Sequence, residues 1–245
     1  MKMLLAVTVV VFCGCASTVF TRGEVTVRQF THDSMNTFLV TKGGASFLVD
    51  SGLEKHASAI EADLRAAGVD PKDLKAIVVT HGHADHAGSA AVLRTKFGVP
   101  VIAGAGDGPM IAAGKNEKLC PTGFLANTRV ETDQHATFTG YAPDELLSSP
   151  KTLPGLEAVI TPLPGHTSGS MVVTIGDVAL VGDLFRGSLV GSGAATHLYM
   201  CDLEQNRKDV AKLLTDLAPG AKVFFVGHFG PVERESVASH FDVAP

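Results

Sequence analysis

The feature that most constrains this chain is a run of three histidines and one aspartate within six consecutive positions, His81-Gly82-His83-Ala84-Asp85-His86. Deprotonated imidazole and carboxylate groups are metal ligands. Side chains at positions i and i+2 of an extended segment point to the same side, so His81 and His83 can bind one ion together. Asp85 and His86 follow after one spacer residue and can turn toward a second ion close by. The spacing therefore predicts a site for two metal ions.

The segments around this run predict an alternation of strands and helices. Short apolar stretches predict strands at residues 76–79 and 99–103, and helical spacing predicts helices at 53–67 and 87–97. The ligand run thus follows the C-terminal end of a strand, which is where α/β proteins place their reactive groups.

The same alternation continues on both sides of this region. Alternating apolar residues predict an opening strand at 24–30 and a hairpin of strands 36–40 and 46–50 around the turn Lys42-Gly43-Gly44. The remaining predicted elements are strands at 156–162, 170–175, 177–181 and 223–226, a helix at 201–217 with Leu203, Val210 and Leu214 facing inward, and a closing helix at 232–241.

Residues 104–151 break the pattern, because they are rich in Gly, Pro, Thr and Asn and contain only short helix-like pieces such as 143–148. Segments of this kind commonly line a pocket and set its specificity. The alternative is a surface excursion without substrate contact. We predict a single α/β domain over residues 17–245 that contains this irregular insertion.

The net charge of −5 at pH 7 argues against a nucleic-acid-binding surface, which needs a basic patch or stripe. Trp is absent and Tyr is scarce, so stacking on bases is not expected. The content of 45% hydrophobic and 18% charged residues is typical of a compact folded protein. The expected partner is a small-molecule substrate.

Residues 1–16 have the character of an export signal. A positive start is followed by an apolar run at residues 4–12 that is too short to span a bilayer and suits a secretory signal. The sequence Phe-Cys-Gly-Cys at 12–15 resembles the bacterial lipobox, in which the final cysteine, here Cys15, is lipidated. We therefore predict an exported, periplasmic protein of the membrane-anchored lipoprotein type. The alternatives are a plain signal peptide cut near Ala16 or Ser17, and a buried N-terminal strand.

Two cysteines lie in the body of the chain, Cys120 and Cys201. Neither has a CxxC partner or metal-ligand spacing. In an oxidising compartment they could pair, provided that their backbones come close enough. The sequence leaves open whether they are paired or free.

Three further metal-binding side chains follow predicted strands. His166 lies in a Gly-His-Thr turn, Asp183 in a Gly-Asp pair, and His228 in a Gly-His pair. Each is a weak signal alone. Because the strand ends along one sheet edge converge, the three residues together with the 81–86 run predict one metal centre.

In their order, the motifs His-x-His-x-Asp-His, Gly-His-Thr, Gly-Asp and Gly-His resemble those of the metallo-β-lactamase superfamily. The resemblance extends from the hairpin that ends at Asp50 to His228. It implies a mixed α/β (α+β) fold, a four-layer αββα sandwich with the metals at one edge between the two sheets. The ligands that it implies are His81, His83 and His166 for the first ion, Asp85, His86 and His228 for the second, and Asp183 as the bridge.

Three residues beside these ligands are expected to support them. Asp50 matches the family's structural aspartate at a strand end, and Thr80 and Thr167 each adjoin a ligand. For Asp50, the residues alone leave open whether its carboxylate orients a ligand or caps the following helix.

The chemistry that this ligand set implies is hydrolysis. Two divalent ions lower the pKa of a shared water to about 7 and polarise a carbonyl or phosphoryl oxygen. We expect a binuclear metallo-hydrolase that uses a bridging hydroxide to cleave an ester, thioester, lactone or amide-type bond. Zinc is the expected metal, with iron or manganese as alternatives, and Asp85 is expected to move a proton as well as to bind metal. The aspartate at position 183 is similar to that of the glyoxalase II-like and lactonase-like branches.

Other functions fit the same motifs. Persulfide dioxygenases resemble this chain but bind a single Fe(II), which here would be held by His81, His166 and Asp183. A β-lactamase whose second site is Asp-His-His remains compatible with export, whereas Asp183 argues against the β-lactamases that use a Cys ligand. A metal-binding protein without catalysis is a further alternative.

The loop after Asp183 offers candidates for substrate contact. His197 and Tyr199 are predicted to touch the substrate, and Arg186 could hold an anionic group. The structural alternatives are a surface loop for His197 and a salt bridge for Arg186.

Overall fold

The computed structural model describes residues 7–12 and 15–243, which form two large sheets, one small sheet and the helices that cover them. The strands are β1 (Val7–Phe12), β2 (Cys15–Arg22), β3 (Val25–His32), β4 (Met35–Lys42), β5 (Ala45–Val49), β6 (Ile77–Val78), β7 (Val101–Gly104), β8 (Glu145–Leu147), β9 (Lys151–Leu153), β10 (Ala158–Pro162), β11 (Met171–Ile175), β12 (Val178–Gly182), β13 (Arg186–Gly187), β14 (Ala194–Ala195), β15 (Val223–Val226) and β16 (Val232–Glu233). The first sheet contains β1 to β8 in chain order, the second has the order β16-β15-β12-β11-β10-β9, and β13 pairs with β14.

The α-helices are α1 (Ala57–Ala66), α2 (Ala84–Ala87), α3 (Ala90–Phe97), α4 (Gly108–Ala113), α5 (Phe124–Gln134), α6 (Leu203–Lys212) and α7 (Arg234–Phe241). Helices α1 to α6 lie between these strands in the chain, and α7 follows the last strand, β16. Short 3-10 turns occur at Glu54–His56, Pro71–Asp73 and Ala105–Asp107, and a π-helical turn, Leu213–Leu217, extends α6.

Apolar side chains between the two large sheets form the central core. Phe38 of β4 and Phe225 of β15 come from opposite sheets, and their ring centroids lie 5.6 Å apart. On the outer face of the first sheet, Leu48 packs with residues of α1 and α3. On the outer face of the second sheet, Phe224 packs with residues of α6 and α7. The order of layers is therefore helix, sheet, sheet, helix, which confirms the predicted αββα sandwich.

The hairpin of β4 and β5 shows how local sequence fixes the first sheet. Gly43 and Gly44 both have positive φ, +57° and +81°, a conformation that glycine adopts without strain. Along β4, Phe38 and Val40 face the central core while Leu39 faces the helices, because alternate residues of a strand point to opposite sides.

Parallel pairing brings several strand ends to one edge. β5 pairs in parallel with β6, and β12 with β15. The segments that follow β6, β12 and β15 carry six of the seven predicted ligands, and the loop between β10 and β11 carries His166. Backbone hydrogen bonds join the sheets here, from Met171 N to Thr80 O (2.8 Å) and from Asn36 N to Gly227 O (2.8 Å).

Several sequence predictions need correction. The helix-like piece predicted at 143–148 is the edge strand β8, which pairs in parallel with β7. The predicted helix at 201–217 begins at Leu203, where the side chain of Asp202 caps the first turn, and Leu203 is exposed rather than inward-facing. The closing helix begins at Arg234, because Val232–Glu233 pair with β15 as β16.

The insertion is more regular than its composition suggests. Residues 104–151 contain α4 and α5 as well as β8. The helix α5 is mostly exposed, so the apolar spacing by which a sequence reveals a buried helix is missing.

Cys120 and Cys201 form a disulfide, with their Cα atoms 4.9 Å apart. The bond attaches the insertion to the segment that precedes α6. Of the two possibilities that the sequence left open, the paired state is the one found.

The predicted export signal falls partly outside the described residues. Residues 1–6, Cys13 and Gly14 lie outside them, and Val7–Phe12 pair with β2 as β1. In the part of the chain that the structure describes, no helix is long and apolar enough to cross a membrane.

Candidate metal centre

The side chains with metal-binding atoms meet at the edge between the two large sheets. Within residues 7–12 and 15–243, four overlapping groups of three residues bring their ligand atoms within 4.8 Å of one another. The groups are His81, His83 and His166; His81, His86 and Asp183; Asp85, His86 and His228; and His166, Asp183 and His197. The structure thus brings together all seven residues that the resemblance implied, and it adds His197.

The first set consists of three imidazole nitrogens that face one another. His83 Nδ1 lies 3.1 Å from His81 Nε2 and 3.1 Å from His166 Nε2. Burial lowers the pKa of all three imidazoles, that of His83 to about 4, so the rings are neutral. Ligand atoms in a tetrahedral zinc site with Zn–N bonds of 2.0–2.1 Å are about 3.3 Å apart. The set therefore fits one metal ion.

The tautomer of His81 agrees with this role. Thr80 Oγ1 donates its proton to Asp50 Oδ2 at 2.9 Å, so it can only accept from His81 Nδ1, which lies 3.2 Å away. The proton of His81 is then on Nδ1, and Nε2 presents a lone pair to the centre.

The second set combines Asp85, His86 and His228 around Asp183. His228 Nε2 lies 3.2 Å from Asp85 Oδ2 and 3.4 Å from Asp183 Oδ2, and His86 Nε2 lies 3.3 Å from Asp183 Oδ2. Burial alone would lower the pKa of His228, but the carboxylates of Asp183 and Asp85 raise it to about 10. The carboxylates of Asp183 and Asp85 therefore favour a positive charge beside them, and a metal ion can supply that charge.

Supporting contacts orient both imidazoles of the second set. His86 Nδ1 lies 2.9 Å from Asp50 Oδ2, and His228 Nδ1 lies 3.0 Å from the carbonyl oxygen of Ser34. Each Nδ1–H donates to an oxygen, so each Nε2 points its lone pair at the metal position. Such second contacts fix the tautomer of metal-binding histidines.

Asp183 lies between the two sets. Its Oδ2 is 3.8 Å from His81 Nε2 and 3.9 Å from His166 Nε2, in addition to its shorter distances to the second set. Among the described residues, Asp183 Oδ1 and His86 Nε2 are buried and have no hydrogen-bond partner. Buried polar atoms rarely remain without a partner, and an ion is a common reason where they do. The donor set and these two atoms fit two divalent ions that share Asp183.

The contacts of Asp50 decide between the two roles that the sequence allowed. Its carboxylate accepts hydrogen bonds from Thr80 N (2.7 Å), Thr80 Oγ1 and His86 Nδ1. These partners lie in the ligand segment rather than at the start of the following helix. Asp50 therefore orients ligands.

Asp107 was not found by sequence reasoning, although it joins the two ligand-bearing loops. Its buried carboxylate accepts hydrogen bonds of 2.7 Å from Gly82 N, Thr167 Oγ1 and Gly169 N. Burial raises the pKa of Asp107, and its three donors act in the opposite direction. In the sequence it precedes Gly108-Pro109 and is typical of a turn, so no local signal marked it.

The three predicted substrate contacts are placed differently from one another. His197 is at the centre, with Nε2 3.0 Å from Asp183 Oδ2. The Tyr199 hydroxyl donates to Asp133 Oδ2 at 2.6 Å and is thereby directed into the insertion. Arg186 donates through Nη1 to the carbonyl oxygen of Gly187, and it forms no salt bridge with any of the described residues, so the contact with an anionic group stays a prediction.

A cavity of about 250 Å³ opens beside His83 and His166. Residues 117–120 of the insertion form one wall, and Tyr199, Cys201 and Gln205 form another. The disulfide therefore lies in the lining of the cavity that gives access to the first set of ligands.

Gly227 lies directly against the carboxylate of Asp183, and we expect Gly227→Ala to weaken the centre. A Cβ at this position would lie 2.2 Å from Asp183 Oδ1 and 2.5 Å from His86 Cε1, which is far inside van der Waals contact. We predict at least a tenfold loss of metal affinity, as supporting residues of metal sites typically show. The matched control is Gly220→Ala, where a Cβ meets nothing within 4 Å. Equal zinc affinities of the two variants in a chelator competition would contradict the prediction.

Comparison with known proteins agrees with the geometry. The sequence model of the family described as metallo-beta-lactamase superfamily matches residues 31–228. The chain is 29% identical over 174 residues to the probable metallo-hydrolase YybB of Bacillus subtilis, covering 70% of this chain and 71% of that protein. It is 30% identical over 149 residues to the hydroxyacylglutathione hydrolase of Anaeromyxobacter dehalogenans, covering 60% of this chain and 44% of that protein.

Solved structures show the same fold. The metallo-β-lactamase MIM-1 from Novosphingobium pentaromativorans superposes with a TM-score of 0.63 at 20% identity, covering 93% of this chain and 86% of that chain. A metallo-β-lactamase of Cronobacter sakazakii gives a TM-score of 0.62 at 22% identity, covering 82% of this chain and 74% of that chain. At such identities the likeness concerns the fold alone.

Proposed function

Since the chain belongs to the metallo-β-lactamase superfamily, a superfamily of metallo-hydrolases, we propose that it is a binuclear metallo-hydrolase. The bond that it cleaves is an ester, thioester, lactone or amide-type bond in a small molecule. The observation that carries the proposal is the position of Asp183 Oδ2, within 3.3–3.9 Å of two imidazoles from each set. One carboxylate oxygen placed in this way can serve two ions.

The residues divide the work between them. His81, His83 and His166 would hold the first ion, while Asp85, His86 and His228 would hold the second. Bound divalent ions would supply a hydroxide nucleophile at neutral pH and polarise the bond that is cleaved. The side chain of Asp85 is 25% exposed, so a proton that it accepts during the reaction can pass to water.

Zinc is the metal that we propose, because imidazole and carboxylate donors at tetrahedral spacing suit it. Iron and manganese remain the alternatives, since both accept the same donors. The volume of the cavity, about 250 Å³, supports a small molecule as the substrate. The net charge of −5 argues against nucleic acid as a partner.

We also propose that the protein works in an oxidising compartment outside the cytoplasm, attached to the membrane through Cys15. The disulfide between Cys120 and Cys201 supports export, because such bonds are rare in cytosolic proteins.

The test is metal content and activity of protein prepared in zinc, iron and manganese together. We expect about two metal ions per chain and hydrolysis of an ester, thioester, lactone or amide-type bond. His228→Ala should lower the content to about one ion and remove the activity. His135→Ala is the control, because His135 is exposed and lies outside the centre.

A different result would favour the dioxygenase alternative. A single iron per chain with oxygen uptake, unaffected by His228→Ala, would contradict the binuclear hydrolase. It would instead match one Fe(II) held by His81, His166 and Asp183.

A further inference from the structure

The hairpin of β3 and β4 in the first sheet contacts the ligand His228, which follows β15 of the second sheet. Met35 forms an isolated antiparallel bridge with His228. The carbonyl oxygen of Ser34, in the turn of the hairpin, accepts a hydrogen bond from His228 Nδ1 at 3.0 Å. The hairpin therefore contacts this ligand at both its backbone and its ring.

Asn36, the second residue of β4, binds the backbone on both sides of His228. It is buried, with 1% of its surface exposed. Its Nδ2 donates to the carbonyl oxygens of Val226 (2.8 Å) and Phe229 (2.6 Å). Its backbone N–H donates to the carbonyl oxygen of Gly227 (2.8 Å). One residue thus binds the carbonyl groups of the two residues before the ligand and of the residue after it.

The hydrogen-bond partners fix the orientation of the Asn36 amide. A backbone carbonyl can only accept, so the end of the side chain that faces Val226 O and Phe229 O must be the nitrogen. At the other end, Gln29 Nε2 and Thr31 Oγ1 donate to Asn36 Oδ1 at 3.0 and 2.8 Å. Both amide hydrogens and the amide oxygen are therefore used, and the side chain has one orientation.

The loop that carries His228 depends on such contacts. Phe229 has a φ of +61°, in the left-handed region, which is unfavourable for a bulky residue and persists only where the surroundings hold it. The bond from Asn36 Nδ2 to Phe229 O acts on this residue directly. Without the amide, the buried carbonyl of Val226 would also lose a donor, and the loop would have to move to regain one.

We propose that Asn36 is a positioning residue for the second metal position, whose amide fixes the backbone of His228 so that Nε2 points at the ion. The inference rests on the proposed binuclear function and adds a residue to it. None of the hydrogen bonds among the described residues joins Asn36 to His81, His83 or His166. The effect of Asn36 should therefore be confined to the second ion.

The test is the affinity of each of the two zinc ions in Asn36→Ala, measured by chelator competition. We expect one ion to bind about 10–100-fold more weakly, the usual effect of losing a supporting residue, and the other to stay within about threefold of wild type. Both affinities are compared with those of wild type under the same conditions, so the result does not depend on turnover.

Two variants serve as controls. Asn127→Ala removes an exposed amide that donates to Gly123 O, and it controls for the substitution itself. Ile175→Ala controls for loss of stability, because Ile175 is buried and lies at the opposite end of β11 from Met171, which donates to Thr80 O beside the ligand run. Neither control should change the affinity of either ion.

A double-mutant cycle determines whether the effect of Asn36 passes through His228. In the His228→Ala background, where one ion is expected to remain, adding Asn36→Ala should leave the affinity of that ion unchanged, because both substitutions act through one ligand. A general loss of structure would weaken the remaining ion as well. The cycle thus separates a positioning role from a purely structural one.

Thr31→Val addresses the same contact with less disturbance of the fold, and it carries the test if Asn36→Ala does not fold. It removes the hydrogen bond from Thr31 Oγ1 to Asn36 Oδ1 and leaves both donors of the amide in place. We expect the second ion to bind more weakly, by less than in Asn36→Ala, and this effect should also disappear in the His228→Ala background.

Two outcomes would overturn the proposal. Unchanged affinities of both ions in the folded variants would mean that the contacts of Asn36 do not position the ligand. An equal loss with and without His228 would mean that Asn36 acts on the fold rather than on this ligand. Both outcomes leave the binuclear function standing, whereas wild-type protein that binds a single ion would overturn that function and this inference with it.

Discussion

Asp183→Asn is expected to abolish hydrolysis and to leave the folded chain with fewer than two metal ions. Asp183 Oδ2 lies 3.0–3.9 Å from the Nε2 atoms of five imidazoles, so the carboxylate is the common partner of both ligand sets. Burial opposes ionisation, yet His197, His86 and His228 hold the pKa of Asp183 well below its ordinary value. A neutral amide cannot supply this charge to two cations.

The expected loss of turnover is larger than the roughly 10–100-fold loss of metal affinity or activity that follows when only a supporting residue of a metal site is removed. The measurement is metal content per chain together with turnover of the best substrate. Asp73→Asn provides the control, because Asp73 is exposed and belongs to none of the groups of metal-binding side chains. Retention of two ions with turnover within tenfold of wild type would show that Asp183 does not bridge.

Asp107→Ala is expected to destabilise the fold and to weaken the first metal position. Its carboxylate accepts from Gly82 N, Thr167 Oγ1 and Gly169 N, and the residue has no exposed surface. Each buried donor left without an acceptor costs roughly 1–3 kcal/mol. Water that enters the vacated space will accept hydrogen bonds from some of these donors. We therefore expect the free energy of unfolding to fall by about 3–5 kcal/mol.

Urea unfolding of the metal-free protein measures this effect without the contribution of bound ions. Asp107→Asn should lose less, because its amide oxygen can still accept from two of the three donors. Asp216→Ala is the surface control and should change the free energy of unfolding by no more than about 0.5 kcal/mol. Equal free energies of unfolding for Asp107→Ala and Asp216→Ala would refute the structural role of Asp107.

The fold and the positions of the ligands could be predicted from the sequence because both depend on local patterns. The strand 223–226 was predicted with the bounds that the structure has, and the ligand His228 follows it. Apolar runs mark buried strands, and a His or Asp directly after such a run marks a strand end. Once several such ends are recognised, the geometry of a sheet brings them together.

The supporting residues were less accessible, because their roles arise where distant segments meet. Asp107 matters only because the loop at Gly82 and the loop at Gly169 lie on either side of it. The strand β8 was mistaken for a helix since three residues at a sheet edge carry almost no periodicity.

The metal centre draws its ligands from both halves of the sandwich, with His81 next to the first sheet and His228 next to the second. An ion bound there would act as a cross-link between the sheets and would have no equivalent site in the unfolded chain. For each such ion, a tenfold rise in free metal above the dissociation constant adds about 1.4 kcal/mol to the free energy of unfolding. The resistance of this protein to heat and proteolysis would then depend on the metal supply of its surroundings as much as on its own core.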